Sequence, residues 1–239
     1  MKVGEIVKYG AQKFGIDLPD GSNEAFEKYH AVLEKHRRKV NLTAVTGGED
    51  IAKLLFLDSL ALLRAAKFKD ARVIDIGSGA GFPGIPIKIA EPTIRLTMID
   101  ATAKRVEFLS GLCATLRIDA ECIHARAEEL SRTKEMREQY EIAVSRAVAR
   151  MDVLCELCLP FVSVGGMFLA MKTMDSNTEI GEAAGALRIL GAEIEGFRDY
   201  TIPDTQITRR IIQVRKTAMT PEKYPRRFAK LKKVPISTK

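Results

Sequence analysis

The segment Val73-Ile-Asp-Ile-Gly-Ser-Gly-Ala-Gly-Phe-Pro-Gly constrains this chain more than any other stretch. Val73 to Ile76 is a short apolar run of the kind that forms a buried parallel strand. Gly77, Gly79 and Gly81 then predict a tight turn at the strand's carboxyl end. Glycine there permits positive φ and lets a ligand approach the backbone. Open α/β sheets bind ligands at that edge. Asp75 stands inside the strand, where a dinucleotide-binding fold is normally apolar. The string Gly79-Ala-Gly-Phe-Pro-Gly is also a literal GxGxxG, the dinucleotide fingerprint. Against that alternative, its first glycine lies two residues too far from the strand. Pro83 and Pro86 also interrupt the helix start on which a pyrophosphate would rest.

An acid ahead of Gly-x-Gly-x-Gly resembles instead the first motif of S-adenosylmethionine (SAM)-dependent methyltransferases. The resemblance implies SAM as cofactor, with Gly77 and Gly79 at its site.

Length and composition suit one main globular domain with an appendage: 239 residues, 46% hydrophobic and 29% charged. No run of about eighteen apolar residues occurs, and Met1-Lys-Val-Gly-Glu lacks a signal-peptide core. A cytoplasmic protein with no membrane partner is expected, and nothing demands more than a monomer. Cys155 and Cys158 form a CxxC on a predicted helix, without a second pair or nearby histidines. They read as small core or helix-face residues in a reducing compartment, so no metal is expected.

The placement of charge says more than its net value of +7. From Arg215 onward there are nine basic residues and one acid, whereas the rest holds 29 basic against 30 acidic. A polyanion partner, RNA above all, accounts for a basic carboxyl-terminal segment. The alternative is a solubilising tail.

Residues 1–66 read as a helical cap. Its third helix runs from about residue 49 to 66, with Ile51, Leu54, Leu55, Ala61 and Leu62 on one stripe. Asp58 interrupts that dense apolar run. From Arg72 onward strands and helices alternate, and the series closes with two strands lacking a helix between them. That pattern predicts an α/β fold: a mostly parallel seven-stranded sheet with a terminal antiparallel strand over residues 67–216. It matches the Rossmann-like class I SAM-dependent methyltransferase fold. Residues 217–239 form the basic tail.

Candidate site residues follow from the strand ends. Asp100 closes the second strand near the spacing at which a Rossmann acid meets ribose. It is equally placed to cap the helix that follows. Phe82 either walls the site or packs in the core. After the third strand, the Ala127 backbone and Glu128 are placed to contact adenine, unless Glu128 is simply a first-turn acid. Arg146 follows the fourth strand. It is placed to meet guanine's O6 and N7 edge, the SAM carboxylate, or a structural ion-pair partner.

The loop after the fourth strand has no Asn/Asp-Pro-Pro-aromatic motif and no cysteine. Both absences point to an acceptor that is already nucleophilic. Guanine N7 qualifies, because its lone pair is free at neutral pH. Catalysis then reduces to alignment and local field, with no residue acting as acid or base.

At this point the resemblance becomes specific. Asn41-Leu-Thr-Ala, Leu57-Asp-Ser-Leu, Ile74 through Pro86, Ala103-Lys-Arg-Val-Glu-Phe-Leu, Ala125-Arg-Ala-Glu, Ser145-Arg-Ala-Val-Ala and Tyr224-Pro-Arg occur in one order. Together they resemble the RsmG (GidB) family of bacterial 16S rRNA guanine-N7 methyltransferases. The resemblance implies SAM contacts at Gly77, Phe82, Ala127, Glu128 and Arg146. It implies as substrate a guanine of the 530 loop of 16S rRNA, met as RNA or in the small ribosomal subunit. One departure is Leu55, where the family usually has His. Asn41 is placed to border the catalytic cleft or to serve as a turn residue. Lys172, Arg209, Arg210, Arg226, Arg227, Lys232 and Lys233 together form an expected phosphate-tracking surface. Tyr224 and Phe228 either stack on bases or pack the tail against the body.

Overall fold

The computed structural model describes residues 1–40, 42–146 and 149–236, with backbone alone at 37–40 and 232. Strand β1 (Arg72–Ile76) sends Val73 to one face of the sheet and Ile74 and Ile76 to the other. The same alternation in its neighbours gives the sheet two apolar faces, so both must be covered. The remaining strands are β2 (Arg95–Asp100), β3 (Ala120–His124), β4 (Tyr140–Arg146), β5 (Val162–Thr173), β6 (Ala192–Thr201) and β7 (Thr208–Lys216). Their spatial order is β3-β2-β1-β4-β5-β7-β6. Strands β1 to β5 pair in parallel. Strand β7 inserts between β5 and β6 and runs antiparallel to both. This is the class I methyltransferase fold.

Helices α1 (Val3–Lys13) and α2 (Ser22–Val40) begin the chain, and a segment over residues 48–64 follows. They cover one face together with two helices from the crossovers, α5 (Gly84–Ala90) and α6 (Ala103–Leu116). Phe26, Tyr29, Phe56 and Leu33 are fully buried there, in one cluster with Val73, Leu96, Val144 and Leu169 of the sheet. Each such side chain contributes roughly 1.5–3 kcal/mol by leaving water. The amino-terminal helices are thus a structural layer of the sandwich, continuous with the sheet's core.

The third helix is not the single element its periodicity predicts. It divides into α3 (Gly48–Ile51), a π-helical turn (Ala52–Leu57), α4 (Asp58–Leu60) and a 3₁₀ turn (Ala61–Arg64). The carbonyl of Leu54, within the π turn, accepts a hydrogen bond from Arg146 at 2.8 Å. A tertiary partner thus engages the backbone where the helical register changes. Leu55, at the position of the expected His, is buried in this turn, and its carbonyl accepts from Ser59 Oγ at 2.6 Å.

The second face is covered by α7 (Ala127–Leu130), α8 (Met151–Cys158), α9 (Asn177–Ile189) and α10 (Phe228–Lys233). Cys155 and Cys158 lie buried on α8. The segment after β7 is not a free arm. Arg137 donates to the carbonyls of Thr220 (2.7 Å) and Tyr224 (3.1 Å), and Arg132 to those of Lys223 and Pro225. Lys216 Nζ is fully enclosed against Glu138 at 3.3 Å. Leu231 is fully buried.

The strongest clamp is Arg226 on Glu156 of α8. Arg226 Nη2 lies 2.7 Å from Glu156 Oε2, and the Arg226 backbone N–H donates to Oε1 at 2.6 Å. The Glu156 side chain is only 1% exposed. Removing one member of a buried pair strands its partner, which costs about 3 kcal/mol. Glu156→Ala is therefore expected to lower unfolding free energy by about that amount, read as a fall in the urea midpoint.

Candidate active site

Where β1, β2 and β4 end, a cleft of about 310 Å³ opens beside α6, α7 and α10. Gly77, Asp100, Ala127, Glu128 and Arg146, all singled out in the sequence, line it. Among the lining residues that had not been singled out as part of this site are Arg105, Arg126 and Phe228. Arg105 lies inside the motif 103–109, and Arg126 beside Ala127. No local signal links Phe228 to either, because α10 arrives from the far end of the chain.

The glycine turn owes its shape to two acids. Gly77, Gly79 and Gly81 all have positive φ, at 74°, 57° and 99°. The Gly79 N–H donates to Asp100 Oδ2 at 3.0 Å, tying the turn to the end of β2. Asp100 Oδ1 accepts from Thr102 N at 2.9 Å, and Arg105 stands 3.5 Å from Oδ2. Asp100 therefore holds the backbone of Thr102 just ahead of α6, without capping a helical N–H, and it also lines the cleft. A carboxylate has about four lone-pair sites, so acceptor capacity remains for a ligand.

Asp75 is the second acid, fully buried beneath the turn. Its Oδ2 accepts from Gly84 N at 2.9 Å. A Cβ at Gly84 would stand only 2.9 Å from that oxygen, so the close approach requires glycine. This bond bears on the dinucleotide alternative. At the start of α5 the Gly84 N–H is taken by Asp75, and the Ile85 N–H by Gly81 O at 2.9 Å. Pro83 and Pro86 have no N–H. The helix start thus offers a pyrophosphate no free donor.

Phe82 sits behind the cleft. Its ring stacks on Tyr29 with centroids 5.2 Å apart, and the Arg146 guanidinium lies over it at 5.9 Å. Tyr29 in turn donates to Ala80 O in the glycine turn at 2.6 Å. Glu128 is a buried first-turn acid of α7 and a lining residue at once, 3.6 Å from Arg126. Arg126 lies over the Phe228 ring at 5.3 Å, which seats α10 against the cleft.

Three residues of the expected phosphate-tracking surface form internal pairs. Lys172 Nζ lies 2.9 Å from Glu179 and donates to Ala149 O at 2.8 Å. Arg210 forms two 2.7 Å bonds to Asp199. Arg226 is held by Glu156. The physical reason is shared: each has a carboxylate partner brought close by tertiary structure. Arg227 and Lys233 stay exposed on and beside α10, and Arg209 is half-buried on β7. Asn41 and the side chain of Lys232 lie outside the described residues. Among the described residues, no cluster of three His, Cys, Asp or Glu suits a metal, and no helix is long and apolar enough to cross a membrane.

Comparison with known proteins bears on this geometry. The family model GidB, rRNA small subunit methyltransferase G, matches residues 22–208. Ribosomal RNA small subunit methyltransferase G of Alkaliphilus oremlandii is 40% identical over 238 residues, covering 99% of this chain and 100% of its own. The protein of that name from Acetivibrio thermocellus is 41% identical over 238 residues, covering 99% and 98%. Among solved structures, MtNAS in complex with MTA and tNA gives a TM-score of 0.52 at 14% identity, covering 83% of this chain and 72% of that one. A candidate methyltransferase of Bacillus halodurans C-125 gives 0.50 at 13%, covering 67% and 99%. At these identities the two structures speak to fold alone.

The buried acid also makes a pH prediction. Burial raises the Asp75 carboxyl from 3.8 to about 7, against the lowering effect of the Gly84 N–H and the Ser78 hydroxyl. Between those values the folded chain holds a proton that the unfolded chain has lost. Stability attributable to Asp75 is therefore full below about pH 4 and declines as pH rises toward 7, by on the order of 4 kcal/mol. Asp75→Asn is expected to flatten that slope in urea midpoints measured from pH 4 to 8.

Proposed function

The chain belongs to the GidB family of rRNA small subunit methyltransferases, and from that premise we propose that it transfers the methyl group of SAM to N7 of a guanine in 16S rRNA. The observation that supports this most is the convergence of Gly77, Asp100, Ala127, Glu128 and Arg146 on one cleft at the carboxyl edge of the sheet.

The residues fit SAM. Asp100 is aimed by two backbone N–H groups and keeps lone pairs for the two ribose hydroxyls. Ala127 and Glu128 edge the purine end. Arg146 lines the cleft and offers its guanidinium charge to the methionine carboxylate. When bound, SAM supplies an electrophilic methyl group on a sulfonium centre. Guanine N7 needs no proton removed, so the cleft's task is to align the acceptor and exclude water. The proposed monomer acts on small-subunit rRNA, and in a bacterium that substrate carries a cytoplasmic location with it.

The decisive measurement is transfer of labelled methyl to 16S rRNA or small subunits lacking the modification, followed by mapping of the base. Label at a guanine N7 is expected; label elsewhere, or none, refutes the proposal. Asp100→Ala is expected to weaken S-adenosylhomocysteine binding at least about tenfold while changing RNA affinity little. Calorimetry showing equal losses would remove the ribose assignment.

The exposed cations at α10 give a separate prediction. Arg227→Glu with Lys233→Glu is expected to weaken rRNA binding and reduce the magnitude of its salt slope. Each lost phosphate contact reduces that slope by roughly 0.7–0.9. Affinity measured from low to moderate salt checks this, and an unchanged slope rejects α10 as a phosphate contact.

A further inference from the structure

Asp58 breaks an apolar run, and the proposed reaction leaves it without a task. It is 4% exposed, where a carboxylate is unfavourable unless paired. Its two oxygens are engaged from different parts of the chain. Oδ2 lies 3.3 Å from Nε of Arg146 at the end of β4. Oδ1 accepts from the phenol of Tyr200, near the end of β6, at 2.6 Å. Tyr200 is itself buried, with Phe14 against its ring edge at 6.0 Å. Burial first, then the Asp58 carboxylate, raise its phenol well above the ordinary range, so it remains a donor.

Arg146 is held on a second side. Its Nη2 donates to Leu54 O of the π turn at 2.8 Å, and its guanidinium plane lies over Phe82. Nε and Nη2 are thus committed to the protein, and the buried Nη1 has no hydrogen-bond partner among the described residues. An arginine free to rotate would lose rotamer freedom on meeting a ligand. One anchored from behind has lost it already, which improves affinity for whatever the guanidinium meets.

We propose that Asp58 and Tyr200 are positioning residues, which hold the Arg146 guanidinium at the cleft wall, where it meets the carboxylate of the methionine moiety of the cofactor. This rests on the SAM reading of the cleft. The competing role is purely structural: a buried network that fastens the amino-terminal segment to the sheet.

Two probes separate these roles. S-adenosylhomocysteine keeps the amino-acid carboxylate, and methylthioadenosine lacks it. In calorimetry on the full chain, Tyr200→Phe and Asp58→Asn are each expected to raise the Kd of S-adenosylhomocysteine about tenfold. Methylthioadenosine affinity should stay within about twofold, because its contacts avoid Arg146. In an Arg146→Lys background, Tyr200→Phe should add less than about twofold, since both act through one group. Equal weakening of both probes overturns the inference, as does undiminished S-adenosylhomocysteine binding or a fully additive double variant. An unaltered chain that binds neither probe overturns the SAM reading and this inference with it. Tyr200→Phe keeps the packed ring, so the test stands even where Asp58→Asn fails to fold.

Discussion

The hydrogen bond from Gly84 N–H to Asp75, 2.9 Å long and fully buried, organises the ligand edge of this sheet. It ties the start of α5 to the middle of β1, and the glycine turn must close over the gap between them. That closure brings the Gly79 N–H to Asp100 and the Ala80 carbonyl to Tyr29. It also uses the donor that a pyrophosphate would need. This buried acid thus shapes the turn together with Asp100 and bears on which cofactor class the edge can take. The arrangement is costly for a carboxylate, and the upward displacement of Asp75 reflects that cost.

The amino-terminal helices bear on the site through the same turn. Tyr29 of α2 reaches the turn backbone and stacks on Phe82, which lies under the Arg146 guanidinium. The π turn and Asp58 reach Arg146 from the other side. A helical layer that looks dispensable for an α/β sheet therefore supplies the support behind one wall of the cleft. Asp100 is held by backbone groups of the turn and of Thr102.

Much of this was legible in the sequence because it is written in local pattern. Strand β1, the glycine turn and Asp100 at the end of β2 follow from alternation, glycine spacing and the length of one βαβ unit. The parallel order and the closing hairpin follow from the sequence of elements. What escaped is non-local. Arg226 meets Glu156 across 70 residues, and Tyr200 meets Asp58 across 142. No periodicity encodes such pairs. A lysine or arginine on a strand end reads the same in sequence whether it faces phosphate or a carboxylate. The π turn was equally hidden, since its apolar stripe is that of an ordinary helix and the Arg146 that engages it lies 92 residues from Leu54.

Charge placement shows how the two scales combine. The basic excess does gather at the carboxyl-terminal end, but folding neutralises part of it internally. Lys216 is enclosed beside Glu138 and Arg226 is held by Glu156. Arg227, Lys230 and Lys233 remain exposed around α10. That helix is pinned to the body by Leu231, and it presents Phe228 to the cleft under Arg126. The surface available to polyanion and the wall of the proposed cofactor cleft are therefore two sides of one short element.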